Sequence, residues 1–152
     1  MVVVKQGGFV AQITVVQHGV SIRISSKDQI EQGSLDLTIG NWPEMAWDPA
    51  EVKAALRILH AQAYHPKRVN CQQGQNRSPT MAIVYLWWQS GRTLGEAYDA
   101  VVAAYAAAQA ELGEKKIKQL LEQLLGGYCN KRRYTWDDVR GLLPGQAAPL
   151  LP

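Results

Sequence analysis

Every residue from Met81 to Trp88 is apolar: Met81, Ala82, Ile83, Val84, Tyr85, Leu86, Trp87 and Trp88. A helix that is apolar nearly all round has no face to give to water, so it belongs at the centre of the fold. Ser78-Pro79 opens this helix, and Gly91 closes it just beyond Gln89. With 152 residues the chain has length for one core, and the other elements must wrap that helix.

The elements can be read from spacing. Phe9 to Val16 is rich in β-branched residues and predicts a strand, and His18-Gly19 a turn. Val20, Ile22 and Ile24 alternate with Ser21 and Arg23, which is a second strand. Ser25 to Gly33 is polar and fits a short helix or a loop. Leu35, Leu37 and Ile39 alternate again, as a third strand. Asp48-Pro49-Ala50-Glu51 starts a helix, with Val52, Leu56 and Leu59 on one face, running to about Tyr64. His65-Pro66 ends it, and Arg68-Val69-Asn70 is a short strand leading into Cys71. Thr93-Leu94-Gly95-Glu96 is a capping box opening an Ala-rich helix to about Leu112. Ile117, Leu120, Leu121 and Leu124 mark a last amphipathic helix, ended by Gly126-Gly127. Strands that alternate with helices predict a single α/β domain, with a central, mostly parallel sheet covered by helices on both faces. The expected division is a domain over 1–128 and a loosely held, basic and Pro-rich C-terminal tail over 129–152.

The chemistry concentrates in Val69-Asn70-Cys71-Gln72-Gln73-Gly74-Gln75-Asn76-Arg77-Ser78-Pro79. A strand brings Cys71 to the carboxyl edge of the sheet, where open α/β folds bind ligands. Gln72, Gln73, Gly74, Gln75 and Asn76 form a loop whose backbone N–H groups can turn inward and cradle an anion. Gly74 permits a backbone turn that other residues resist. The helix starting near Ser78 aims its positive end at the same place. Arg77 can hold two phosphate oxygens with its planar fork. These groups also favour the Cys71 thiolate, and the Ser78 hydroxyl can hydrogen-bond the sulfur. The plainer alternative is a buried cysteine beside a surface arginine.

Asn70-Cys71-(x5)-Arg77-Ser78 resembles the signature of the protein tyrosine and dual-specificity phosphatases. The likeness extends to the strand Val20–Ile24, to Thr93-(x2)-Glu96-Ala97 and to Leu120 and Leu124. Two positions depart from it: Asn70 stands where the family usually has His, and Gln73 where it has a small residue. The resemblance implies a phosphotyrosine phosphatase-like fold and a cysteinyl-phosphate intermediate. It implies hydrolysis of phosphotyrosine, with phosphoserine and phosphothreonine as further substrates, on a phosphorylated protein or peptide. It implies no metal and no cofactor. A phosphate-binding pseudophosphatase is one alternative. An RNA 5′-end or nucleotide phosphatase is another, suggested by the basic, aromatic stretch Tyr128, Lys131, Arg132, Arg133, Tyr134 and Trp136.

Such an enzyme needs an acid for the leaving oxygen. Three upstream carboxylates are candidates. Glu44 sits in Trp42-Pro43-Glu44, similar to the Trp-Pro-Asp acid loop of the tyrosine phosphatases. Asp36 lies in a strand pattern, and Asp48 is well placed as a helix cap. Asn41 lies near the family's spacing for the acid but cannot donate a proton as a carboxylic acid does. Trp42 and Trp47 flank this loop and fit either pocket lining or core packing. Cys129 is a candidate redox partner for Cys71, with a small apolar role as the plainer reading. His18, His60 and His65 read as solvated or capping. No apolar run approaches a membrane span, and Met1 to Lys5 does not resemble a signal peptide. A cytoplasmic protein working away from membranes is the expectation. The net charge of +3 is weakly basic and points to anionic ligands rather than to nucleic acid in particular.

Overall fold

The computed structural model describes residues 1–6, 9–25, 35–61 and 66–152. The chain is a single α/β domain built on a five-stranded open mixed sheet. Its strands are β1 (Val2–Gln6), β2 (Phe9–Val16), β3 (Gly19–Ser25), β4 (Leu35–Thr38) and β5 (Lys67–Asn70), in the order β1-β2-β3-β5-β4. The mostly parallel sheet expected from the sequence is not what forms. β1–β2, β2–β3 and β3–β5 pair antiparallel, and only β4–β5 is parallel.

The register shows why. Val4, Ala11, Ile13, Val20, Ile22 and Val69 share one face and are buried. Val3, Thr14, Arg23, Asp36 and Arg68 lie on the other and are exposed. Strict alternation of apolar and polar residues marks an antiparallel sheet with one wet face, whereas parallel strands covered on both faces read as unbroken apolar runs. The Val20–Ile24 alternation therefore already argued against a doubly covered sheet. Lys67 is an exception on the core side. It is fully buried, with its ammonium 5.8 Å from the centre of the Tyr85 ring. Burial lowers its pKa to about 8.

Helices cover the apolar face. α1 (Pro49–Ala61) packs on β4, α2 (Arg77–Ser90) on β3 and β5, and α3 (Leu94–Ala107) on β1 and β2. α4 (Glu114–Leu125) and the short α5 (Trp136–Val139) pack on each other, and α4 also meets α2. α2 is the central element, with Ser78 to Trp87 all buried. Gly91, in the left-handed region, ends it by donating to the Trp87 carbonyl. Thr93 and Glu96 form the expected capping box at the start of α3. That helix stops at Ala107, short of Leu112, because Gln109 turns left-handed and Ala110 donates back to the Tyr105 carbonyl. β1 was not foreseen, although Val2-Val3-Val4 has the β-branched run of an edge strand. The stretch Ser25–Gly33 lies almost wholly outside the described residues, as do Tyr64 and His65. Among the described residues, no helix is long and apolar enough to cross a membrane.

The segment after Tyr128 is not the loose tail its composition suggested. Val139, Leu142, Ala147, Leu150 and Leu151 are buried. The buried Trp87 indole donates to the Leu142 carbonyl at 2.8 Å, and Leu94 N–H donates to the same atom at 3.0 Å. Lys131 to Thr135 are exposed throughout, so the basic stretch meets the expectation of solvent contact, while from Trp136 onward exposed residues alternate with buried ones. Removing residues 136–152 is expected to lower stability by about 3 kcal/mol or more, because burying one large aliphatic side chain contributes about 1.5–3 kcal/mol. A urea titration checks this, and an unchanged midpoint would mean that the segment is dispensable.

Candidate active site

The Cys71 loop is held from both sides of β5. The Asn70 carbonyl accepts from Ile39 N at 2.8 Å, and Cys71 N–H donates to the His18 carbonyl at 2.9 Å. His18 adopts φ 63, an uncommon conformation for a residue with a side chain, which fits its place in the β2–β3 turn. Gly74 passes directly over that turn with φ 72. A Cβ there would stand 2.5 Å from the His18 carbonyl carbon and 2.6 Å from Gly19 N, so both the angle and the approach exclude any other residue.

The loop closes around the sulfur. Cys71 Sγ lies 3.2 Å from Ser78 Oγ and accepts from Gly74 N at 3.3 Å and Ser78 N at 3.4 Å. The side chain is buried, with 8% exposure. Burial pushes the thiol up, but the Ser78 hydroxyl, the Ser78 amide and the amides of Gly74 and Gln73 together outweigh it. The net result is a thiol that ionises below its ordinary value. α2 contributes directly: its first turn has no side-chain cap, so the Ser78 amide is available to the sulfur.

Above the sulfur is a cavity of about 70 Å³, lined by Glu44, Cys71, Gln72, Gln73, Gln75, Asn76 and Arg77. A water's share of liquid is about 30 Å³, so the space suits one compact polyatomic anion rather than an extended ligand. Arg77 forms a wall of the cavity and ties it to the 40–44 loop. Its Nη1 donates to the carbonyls of Gly40 and Trp42, each at 2.8 Å. Nη2 and Nε carry the other three donors of the guanidinium and form the edge that can take oxyanion oxygens. No protein-family model, curated protein or solved structure matches this chain.

The three carboxylates separate cleanly. Glu44 lines the cavity and pairs with Lys116 of α4 at 3.3 Å. Asp36 lies on the wet face of β4, where it meets its cross-strand neighbour Arg68 at 2.9 Å. Asp48 accepts from Ala50 N at 3.0 Å and starts α1. Trp42 and Trp47 do not line the cavity. They meet edge-to-face at 5.0 Å, and the Trp47 indole donates to the Pro43 carbonyl at 2.8 Å, so the pair shapes the acid loop from behind. Cys129 is not brought to Cys71. Its Sγ reaches the Asp138 carbonyl at 3.5 Å, and both cysteines are free. His60 stacks near Trp88 at 5.0 Å and contacts Gln89.

Spacing did not disclose three contributors. Tyr105 donates from its hydroxyl to the Gly74 carbonyl. Gly113 N–H donates to the Gln75 carbonyl at 2.9 Å. Gln123 accepts from Ala46 N at 2.6 Å and so holds the acid loop from α4. Tyr105 occurs at helical spacing with Ala97, Tyr98 and Val101, where it reads as packing. Because the hydrogen bond from the Ser78 side chain holds the Cys71 ionisation down, Ser78→Ala is expected to move it to higher pH. The pH profile of iodoacetamide alkylation, followed on Cys71 by mass spectrometry, measures this. An unmoved inflection would deny Ser78 that role.

Proposed function

We propose that the chain is a cysteine-dependent phosphomonoester hydrolase whose substrates are phosphorylated proteins or peptides, phosphotyrosine first among them. The observation that carries this reading is the ring around Cys71: a buried sulfur accepting from the loop amide of Gly74 and the first-turn amide of Ser78 in α2, beneath an anion-sized cavity walled by Arg77 and Glu44. The likeness of Asn70-Cys71-(x5)-Arg77-Ser78 to the tyrosine and dual-specificity phosphatases supports the same assignment, including their fold.

In this mechanism the phosphate dianion enters the cavity and is held by loop amides and the free edge of Arg77. The Cys71 thiolate attacks phosphorus in line with the leaving oxygen. The S–P bond forms as the P–O bond to the alcohol breaks, and Glu44, protonated, gives its proton to that oxygen. Glu44, now a carboxylate, takes a proton from water, which attacks phosphorus. The S–P bond breaks, the sulfur leaves as a thiolate stabilised by Ser78, and inorganic phosphate departs. The Glu44–Lys116 pair does not oppose this cycle, since both side chains are more than half exposed and such pairs contribute only about 0–1 kcal/mol.

The test is turnover of a phosphotyrosine peptide in EDTA. Cys71→Ser is expected to abolish it. Glu44→Gln is expected to lower kcat by about 10²- to 10⁴-fold, the usual worth of general acid–base catalysis. Asp36→Asn, which removes only an exposed ion pair, leaves the rate unchanged. Turnover that survives Cys71→Ser sinks the mechanism. Tight phosphopeptide binding by wild type without turnover would favour the pseudophosphatase, and a preference for 5′-triphosphorylated RNA over peptide would favour the RNA reading.

A further inference from the structure

We propose that Tyr105 is a positioning residue for the anion site: its hydroxyl fixes the Gly74–Gln75 peptide so that the Gln75 N–H faces the bound oxyanion. The proposal rests on the reading of the Cys71 loop as a phosphate site and adds a regulator of its geometry.

The argument starts from the glycine. Gly74 is needed for the close pass over His18, and without a Cβ it also puts little steric limit on the ψ rotation that turns the peptide after it. A flip of the peptide after Gly74 would exchange its N–H for its carbonyl. The cavity would then meet an oxygen lone pair instead of a donor. In a trans peptide the carbonyl of one residue and the N–H of the next point in opposite directions. All peptides described here are trans. The Tyr105 hydroxyl holds the Gly74 carbonyl on the α3 side, so the Gln75 N–H is turned the other way, and Gln75 lines the cavity.

The next two peptides follow the same rule. The Gln75 carbonyl takes Gly113 N–H at 2.9 Å, and the Asn76 carbonyl takes Thr80 Oγ1 at 2.6 Å and Thr80 N at 3.1 Å. With those carbonyls held by neighbouring backbone and by α2, the N–H groups of Asn76 and Arg77 are left to the cavity. Three consecutive inward amides make an anion nest. Tyr105 sets the first of them, at the one loop residue with no Cβ to limit rotation of the peptide that follows. Its hydroxyl is a dependable donor. The residue is buried, and burial together with the nearby Cys71 charge pushes the phenol well above its ordinary value.

The ring of Tyr105 belongs to the core, so the test must remove the hydroxyl alone. In full-length Tyr105→Phe, inorganic phosphate is expected to protect Cys71 from alkylation about tenfold less well than in wild type, the worth of one hydrogen bond to a charged group. The alkylation inflection is expected at higher pH. Tyr98→Phe is the control: Tyr98 lies on the same helix, but its hydroxyl goes to Glu114 at 2.7 Å. It should match wild type in both readouts. If Tyr105→Phe equals wild type, or if Tyr98→Phe loses as much, the positioning role is overturned. A variant too unstable to assay leaves a wild-type measurement: phosphate titration followed by amide NMR should shift the Gln75 N–H resonance, and a silent Gln75 amide overturns the proposal. Wild type that binds no phosphate at all would sink the phosphate-site reading itself, whereas phosphate binding indifferent to the Tyr105 hydroxyl sinks only the role of Tyr105.

Discussion

The Cys71 N–H bond to the His18 carbonyl is the contact on which the site depends. It joins the loop to the β2–β3 turn at the point where β5 stops pairing. The turn then serves as the surface over which the loop is bent. Gly74 crosses it too closely for a side chain, and the Ser78 hydroxyl reaches the same His18 carbonyl at 3.4 Å. An antiparallel β3–β5 pairing places the turn there, since Gly19 is the register partner of Asn70. A parallel neighbour would have presented a strand end rather than a tight turn. The sheet's actual pairing is thus part of how the thiolate is housed.

Burial and ionisation pull against each other at Cys71. A sulfur taken from water resists charge, and no cation lies among the causes that offset this. The offset comes from hydrogen bonds, with the Ser78 side chain first and backbone amides after it. Such donors are fixed by the fold and need no reorganisation as the sulfur gains or loses charge. Arg77, meanwhile, has one nitrogen engaged by the carbonyls of Gly40 and Trp42. Its role in the site is therefore double: it walls the anion cavity and fastens the loop that carries Glu44.

Local features were legible where one residue type does one physical job. Apolar residues on all sides from Met81 to Trp88 left α2 no place but the centre. Thr93 and Glu96 announced a cap, and Gly74 announced a tight turn. The order of β2 to β5 along the chain is legible in the sequence, whereas β1 and the antiparallel pairing are not read from it. Alternation at Val20–Ile24 carried the correct information, yet the strand–helix succession was given more weight. The C-terminal segment was misjudged for a related reason. Its prolines, glycines and charges suggested solvent, while Val139, Leu142 and Leu150 are spaced too widely to show a period and are buried by tertiary contact alone. Among the carboxylates, spacing could not choose between Glu44 and Asp36. Register separates their places, because Asp36 sits across from Arg68 on the wet face while Glu44 lines the cavity over Cys71.

α4 spans the Cys71 loop and the loop that carries Glu44. Its apolar stripe, Ile117, Leu120, Leu121 and Leu124, is buried and fixes the helix against the core. Its polar side then touches both loops. At its start, Gly113 holds the Gln75 carbonyl, while Lys116 meets Glu44 and Gln123 meets Ala46. Ala46 has φ 57, so the acid loop is bent sharply where Gln123 grips it. The distance between the Cys71 loop and Glu44 is therefore set by α4 together with the bonds from Arg77 to the Gly40 and Trp42 carbonyls. Motion at Glu44 and Ala46 would have to break exposed contacts to α4, while Arg77 holds the start of the same loop at the Gly40 and Trp42 carbonyls and the Cys71 loop stays pinned by contacts that are buried. That asymmetry fits the proposed mechanism, in which Cys71 is held ready and Glu44 adjusts to each leaving group.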